Sequence, residues 1–537
     1  MQQSYALPWA ALLIAASIVY FVVRLVQHRQ FYKDLPKPPH DFLWGHAKLM
    51  GDMLALMPGQ CHPQVAITSM AQKYNLPGLF YLDMWPFSHG MIIVQDPDLA
   101  LHMTAIKNHP KHSVEKTFID PIVGAGNIVT AEGPYWKHLH TAFAPAFSIS
   151  RVRGMVGMIG EEVMIFRSIL QQKAESGEVF SLEKASSCLT FDIVGKAAFG
   201  YNLGAQADWN SPALRHFGDM IHGLSMETRS WNPFKRLLGR RRRLTATKQL
   251  DSLIEKLIRQ RYEELERGNI DVSHKRSLSI MDLVLRDRLE EMRKIKQSKS
   301  TALDMGFLAS AVTQIKTLVL AGNGTVTDTV CFVFLLLSDN PNIVKRLREE
   351  HNQVFAPTVE STYAMLQDPQ HHAKISELHL TANVIQETLR LYPVGHTARG
   401  HDENGFLTFN GVNYPTKDHM ICPVSHTMHY NPEIFPRPSV FDPDRFSRNE
   451  SPRHAFRSFE RGSRACLGQA LALDELKVIL LLVIRDFDFH CDGLKPNKSP
   501  RVTWTDLDLK YGDRAFQEMV FEARPRDGMP MTVSKSV

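Results

Sequence analysis

One cysteine in this chain stands among neighbours that could make it a ligand. It lies in Phe459-Glu-Arg-Gly462-Ser-Arg464-Ala-Cys466-Leu-Gly468, directly before QALALDELKVILLLVIR, whose apolar residues recur at helical spacing. Cys466 therefore sits at the mouth of a helix, where the macrodipole and unpaired backbone N–H groups stabilise a thiolate. Gly462 and Gly468 allow a tight loop and let a flat ligand approach the backbone closely. Arg464 offers a planar fork for a carboxylate, and Phe459 can shield one side of the sulfur. A lone buried cysteine is usually inert core, and Cys61, Cys188, Cys331, Cys422 and Cys491 are read that way. With no CxxC pair and so few cysteines, neither a zinc cluster nor a disulfide scaffold is expected, and a reducing compartment is. Elsewhere, Glu387 and Arg390 fall at i, i+3 within the helical pattern Ser376–Leu391, so they share a face and can pair.

The run F-x-x-G-x-R-x-C-x-G resembles the haem-binding loop of the cytochromes P-450, the haem-thiolate monooxygenases. That resemblance implies haem b as cofactor and Cys466 as the thiolate ligand of its iron, a ligand that favours O–O cleavage. It also implies that Arg464 pairs a haem propionate and that Phe459 flanks the sulfur. Glu387-Thr-Leu-Arg390 is similar to the family's E-x-x-R helix, whose buried pair is joined by a second arginine. Phe441-Asp-Pro-Asp-Arg445-Phe446 resembles the segment that supplies it, so Glu387, Arg390 and Arg445 are expected to form a structural network holding the cysteine loop. Arg399, in HTARG, is similar to an arginine that meets a propionate. Trp136-Lys-His-Leu-His140 resembles the W-x-x-x-R helix, with His140 where arginine is usual; histidine donates more weakly and with pH dependence.

Ala321-Gly322-Asn323-Gly324-Thr325 resembles the oxygen-activating motif A-G-x-[D/E]-T. Thr325 is the expected hydrogen-bonding partner of dioxygen or its water. The small residues would let the helix pass close over a flat macrocycle and can open a local kink. The acid of the motif is missing, because Gly324 occupies its place. Asp328 lies one turn further on. Proton delivery, which is general-acid work, is therefore left open between bridging water and a group on the substrate.

By this resemblance the chain inserts one oxygen atom from O2 into a small, largely apolar substrate. Electrons come from NADPH through a membrane-bound cytochrome P-450 reductase, with cytochrome b5 as a second candidate donor. Segments near Phe118–Ile128, Ala213–Arg229, Val312–Leu320, Val394–Thr397 and Tyr511–Phe516 are expected to line the pocket. Lys137, Arg457, Arg461 and Lys477 are the basic residues nearest the motifs for docking an acidic reductase. The wording FERGSRACLGQ and HTMHYNPEIFPRPSVFDPDRF is most similar to filamentous-fungal members that tailor secondary metabolites. Two alternatives stand beside this reading. One is an atypical haem-thiolate isomerase or dehydratase that needs no reductase, motivated by Gly324; the other is a non-catalytic haem-binding sensor.

These residues must be positioned by a large body. Of 537 residues, 44% are apolar and 22% charged, which is globular usage. A net charge of +6 is mild for this length and gives no support to nucleic-acid binding. Ala6 to Val23 carry no charge. At about 1.5 Å per residue, such a helix reaches about 27 Å, near the thickness of a thin bilayer. Trp9 and Tyr20 sit near its ends, and Arg24, His28, Arg29 and Lys33 follow while no Lys or Arg precedes, which orients the body to the cytosol. The expected organisation is a luminal tip at 1–5, a transmembrane anchor at 6–26, a proline-rich spacer at 27–45 and a haem-thiolate catalytic domain at 46–537. The expected location is the endoplasmic reticulum membrane, crossed once, with membrane lipid as a partner. Helical patterning marks Met155–Lys173, Leu250–Arg267, Leu303–Ser338 and Ser376–Leu391. Strand-like pieces are Gly90–Val94, Phe406–Phe409, Thr503–Leu509 and Glu518–Glu522. The fold class is thus mainly α with a small β portion, a cytochrome P-450 fold behind a single N-terminal transmembrane helix. Residues 317–337 are apolar enough to suggest a second span, but Asn323, Thr325, Thr327 and Asp328 at the centre argue for a core helix.

Overall fold

The computed structural model describes residues 6–267, 278–286 and 303–536; the tip at 1–5 lies outside the described residues. The first helix, α1 (Ala6–Phe31), leaves Leu12, Leu13, Ile14, Ile18 and Val19 each more than half exposed. Its Ala11–Phe31 stretch is long and apolar enough to cross a membrane. The helix runs on past residue 26 because nothing before Pro36 forbids it.

Residues expected to form a spacer are strapped to the body. Arg29, 6% exposed, pairs with Asp83, which is fully buried. The same guanidinium donates to the carbonyls of Phe42 (2.8 Å), Leu43 (2.8 Å) and Trp85 (3.1 Å). His40 Nε2 lies 2.9 Å from Asp83, and the buried Tyr32 hydroxyl lies 2.8 Å from His419 Nε2. Burial alone would raise the Asp83 carboxyl, but hydrogen bonds from His28, His40 and Arg29 hold it well below the usual range.

The strand that receives this strap belongs to a sheet of order β1 (Leu79–Leu82), β2 (Gly90–Val94) and β6 (His419–Pro423), with β2 and β6 parallel in register Ile92↔Ile421. A second sheet joins β3 (Phe180–Ser181), β10 (Pro530–Lys535) and β7 (Phe487–Cys491). Two hairpins complete the β portion: β4 (Phe406–Phe409) with β5 (Val412–Pro415), and β8 (Glu518–Met519) with β9 (Ala523–Arg524). Thr503–Leu509 forms no strand. Its alternating pattern is overridden by Asp508, whose carboxylate takes hydrogen bonds from Asn497 Nδ2 and the Arg501 N–H (2.9 Å each) and opens a short helix, Asp508–Tyr511. The expected strand Glu518–Glu522 is instead one short strand and the turn into β9.

Helices make up most of the rest. The ones that position the site are α2 (Gly133–Phe143), α3 (Val156–Ser176), α4 (Leu182–Phe199), α5 (Pro212–Arg229), α6 (Pro233–Glu266), α7 (Met305–Ser338), α8 (His379–Leu391) and α9 (Gln469–Val483). In α7 every residue from Val326 to Leu337 is buried, as expected of a helix that is apolar all round and enclosed by protein. This half of α7 shares the main core with Val163 and Phe166 of α3, Val384 and Leu389 of α8, and Ile479 and Leu482 of α9. The other half packs a second core with α4, α5 and α6. Of Arg240–Arg243, on α6, Arg243 is 8% exposed and paired with Glu227 at 2.8 Å.

Candidate active site

The cysteine loop closes on itself before α9 begins. The Cys466 N–H donates to the Phe459 carbonyl at 2.8 Å and the Ala465 N–H to Gly462 at 3.0 Å. Gly462 has φ +84°, and a Cβ there would meet the Thr104 carbonyl and lie 2.7 Å from Ala105 Cα. Only glycine fits that seat. Cys466 keeps accessible surface, yet protein surrounds it closely enough for burial to dominate its titration, so its sulfur lines a recess. Burial pushes its thiol pKa up, against the pull of the Gly468 N–H. At this sulfur the helix mouth therefore works against burial. A coordinating metal would take the proton's place.

Glu387, Arg390 and Arg445 meet in the core, each at most 1% exposed. Arg390 grips Glu387 with Nε and Nη2, both at 2.8 Å, and Arg445 Nε adds a contact at 3.2 Å. Their remaining N–H groups reach carbonyls: Arg390 to His429 at 2.9 Å, Arg445 to Pro436 at 2.8 Å. This network is tied to the cysteine loop at two points. His429 lies 3.1 Å from the Arg390 carbonyl through Nδ1 and accepts the Arg457 N–H at 3.2 Å through Nε2. Ser458 Oγ donates to the Leu389 carbonyl of α8 at 2.9 Å. Arg457, considered from sequence as a docking charge, is 2% exposed; it donates to Thr104 Oγ1 at 2.8 Å and pairs with Glu460.

The expected propionate residues gather next to this loop. Arg464 stacks 4.0 Å above the Trp136 ring of α2, pairs with Glu132 at 2.9 Å and donates to the Ala131 carbonyl at 2.7 Å. The His140 ring lies 5.0 Å from that of Trp136. Arg399 is held by β6: its backbone exchanges two 2.8 Å hydrogen bonds with Ile421. Its side chain is fully buried, Nη1 donates to the His109 carbonyl at 3.0 Å, and Nε and Nη2 have no partner. Burial lowers the pKa of both arginines, and the Arg399 charge adds to that effect at Arg464. Two neighbouring guanidiniums, one with open buried N–H groups, fit a flat cofactor carrying carboxylates. Sequence reasoning missed two members of this wall, Glu132 and Lys111. Glu132 binds both Arg464 and the Lys111 N–H (2.8 Å); the Lys111 ammonium bonds Thr397 Oγ1 at 2.6 Å and Glu115 at 2.9 Å. The signal for Glu132 was its place just before Gly133-Pro134, a helix start where carboxylates are favoured.

On α7 the small residues serve different neighbours. Ala321 keeps an exposed surface. A Cβ on Gly322 would lie 2.5 Å from Val194 Cγ2, so this glycine brings α7 against α4 rather than against a macrocycle. Asn323 Nδ2 stitches the same two helices, donating to the Ser187 carbonyl and Thr190 Oγ1, both at 2.9 Å. Thr325 Oγ1 donates to the Ala321 carbonyl at 2.7 Å, and α7 continues unbroken through the motif. A Cβ on Gly324 would run into a carboxylate oxygen of Glu522, from the turn between β8 and β9.

Comparison with known proteins agrees with this geometry. The family model described as Cytochrome P450 matches residues 38–509. The chain is 29% identical to the cytochrome P450 monooxygenase polC of Polytolypa hystricis, over 98% of this chain and 94% of that protein. It is 29% identical to the cytochrome P450 monooxygenase acrF of Aspergillus aculeatus, over 89% and 98%. The crystal structure of the cytochrome P450DA heme domain shares the fold, with a TM-score of 0.72 and 20% identity, covering 93% of this chain and 97% of that one. A cysteine loop, a buried ion-pair network and an arginine cradle in that fold, matched along nearly the whole chain, mean that this protein belongs to the cytochrome P450 family, the haem-thiolate monooxygenases.

Proposed function

We propose that this monooxygenase is anchored in the endoplasmic reticulum membrane by α1 and hydroxylates a small, largely apolar intermediate of fungal secondary metabolism. Its electrons come from the NADPH–cytochrome P450 reductase, with cytochrome b5 as an additional donor. The observation that carries the reading is Cys466, accessible yet surrounded by protein, in the loop whose Arg464 feels the charge of buried Arg399 with its open N–H groups.

Haem b, when bound, supplies the redox chemistry that activates O2. The chain's residues hold and screen it. Cys466 ligates the iron, Arg399 and Arg464 neutralise the propionates, and Trp136 with His140 closes that wall. Glu387, Arg390 and Arg445 keep the loop at its height through His429 and Ser458. Thr325 offers a hydroxyl on the oxygen side. Lys137, exposed on α2, remains a reductase-facing charge; Lys477 is spent on the Ile375 carbonyl at 3.1 Å.

The test is spectroscopic and then metabolic. Reduced microsomal protein under carbon monoxide is expected to show the red-shifted band of a thiolate-ligated haem, lost in Cys466→Ser. Extracts of a strain lacking the gene should accumulate a less oxidised compound, which the protein converts only with NADPH and reductase. Conversion without either would favour the isomerase or dehydratase reading.

A further inference from the structure

The carboxyl that the helix motif lacks is supplied from another part of the chain. Glu522 stands at the turn between β8 and β9, with a carboxylate oxygen where a side chain on residue 324 would begin. One residue on is Thr325, and one helical turn on, on the same face as Gly324, is Asp328. Asp328 is 1% exposed, and neither of its carboxylate oxygens has a hydrogen-bond partner. The nearest cation, Arg524 of β9, stays 4.0 Å from it and pairs with Glu183 at the start of α4.

Gly324 and Glu522 also form the inner end of a cavity of about 500 Å³. Its outer lining includes Lys184, Arg215, His222 and Arg242, all exposed, and the half-buried Asp219. Glu522 thus lines a cavity whose exposed residues are open to water, and Thr325 follows Gly324 along the helix. Burial raises the pKa of Glu522 against the pull of Arg524, and burial with the Glu522 charge raises that of Asp328 further. In this low-dielectric setting the protonated form of each carboxyl is favoured over its ordinary carboxylate form.

We infer that Glu522 is the proton-supplying acid of the oxygen side, taking the part of the acid missing at position 324. This deepens the monooxygenase reading and rests on it. In each turnover O2 takes two electrons from the reductase and two protons; one oxygen atom enters the substrate and the other leaves as water. The Glu522 O–H bond breaks as a proton passes, by way of water, towards the Thr325 side of α7. The carboxylate then regains a proton from water in the cavity, and Asp328 keeps the site from carrying a second negative charge.

The test compares Glu522→Gln, Gly324→Asp and the double variant Gly324→Asp/Glu522→Ala in the full-length, haem-loaded chain. All three should keep the carbon monoxide band, which separates failure here from failure of the haem-thiolate reading. In Glu522→Gln, product per NADPH should fall by about 100-fold or more, with hydrogen peroxide released instead and a changed solvent isotope effect. Gly324→Asp alone is crowded by Glu522, while the double variant, with an acid on the helix again, should recover coupling. Independently of turnover, infrared difference spectra between the unsubstituted protein and Glu522→Gln at neutral pH should show a protonated carboxyl component that shifts in D2O and belongs to Glu522, separate from any that Asp328 contributes. Unchanged coupling in Glu522→Gln, or no such component in the difference spectra, would overturn the assignment.

Discussion

Removing Glu387 tests how the cysteine loop is held. Its carboxylate receives Arg390 Nε and Nη2 at 2.8 Å, the Asp442 N–H at 3.0 Å and Arg445 Nε at 3.2 Å, with no exposure to water. Without it, two guanidiniums face each other inside the core; Arg390 keeps only carbonyl partners, and Arg445 keeps carbonyls and a 3.5 Å contact with Glu450. Breaking such a network from one side costs about 3–5 kcal/mol, a large share of a total stability of about 5–15 kcal/mol. The loss should fall first on the loop, because His429 and Ser458 connect it directly to α8. Glu387→Ala in microsomes should therefore bind haem with little of the red-shifted carbon monoxide band and release it at a lower temperature. Glu387→Gln should do nearly as badly, since its amide must turn N–H donors towards one of the arginines. A coupling energy between Glu387→Ala and Arg445→Ala of about 0.5–3 kcal/mol is expected from residues in one network. A full band with an unchanged release temperature in Glu387→Ala, or zero coupling, would refute this account.

Arg399→Met should speed transfer of haem to a competing apoprotein by about 10- to 100-fold, the equivalent of about 1.4–3 kcal/mol of charge-assisted hydrogen bonding, while leaving the haem-free chain no less stable, because two unpartnered buried N–H groups go with it. Gly462→Ala should lower stability by about 1–3 kcal/mol, read as an earlier thermal midpoint, since φ +84° and the Thr104 carbonyl both exclude a Cβ. Asp83→Asn should flatten the acid limb of the stability curve. The folded carboxyl is held low by His28, His40 and Arg29, so its contribution is complete above the ordinary carboxylate pKa of about 3.9 and is lost as pH falls from there towards the folded value. Denaturation followed from pH 6 down to pH 2 should show the unsubstituted and Asp83→Asn curves converging; a constant gap would count against the strap.

What could be read from sequence was whatever a contiguous segment settles by its own chemistry. The cysteine loop carries its glycines, its arginine and its helix within a short run, and the two glutamate–arginine partners on α8 are a single turn apart. Arg445 came from a segment resemblance, and it meets Glu387 as expected. Long-range balances were not legible. The helix mouth was legible, but the burial that raises the Cys466 thiol against the Gly468 N–H depends on everything folded around the loop. The prolines after α1 are local and read as a semi-rigid spacer, whereas Asp83, which holds Arg29 and His40 of that region, lies on another segment and was not legible. Thr503–Leu509 alternated like a strand, yet Asp508 found Asn497 and Arg501. Arg464 was assigned to a propionate without Glu132, its partner in the folded chain.

The motif on α7 shows most clearly why pattern and chemistry come apart. Three consecutive positions, Gly322, Asn323 and Gly324, look like one device for bringing a helix close to a flat ring. In the folded chain Gly322 answers to Val194, Asn323 to Ser187 and Thr190, and Gly324 to Glu522. A Cβ at 324 would meet the end of the Glu522 side chain, so in this arrangement glycine on the helix leaves the room that the hairpin carboxyl occupies. The substitution that motivated an isomerase or dehydratase is thus accounted for without abandoning oxygen chemistry: the acidic function is displaced in sequence while its place in space is kept. An acid at 324 would have restored the motif and, with Glu522 present, crowded the site. The double variant is therefore the decisive comparison, since only a spatial account expects two changes together to do less harm than either alone.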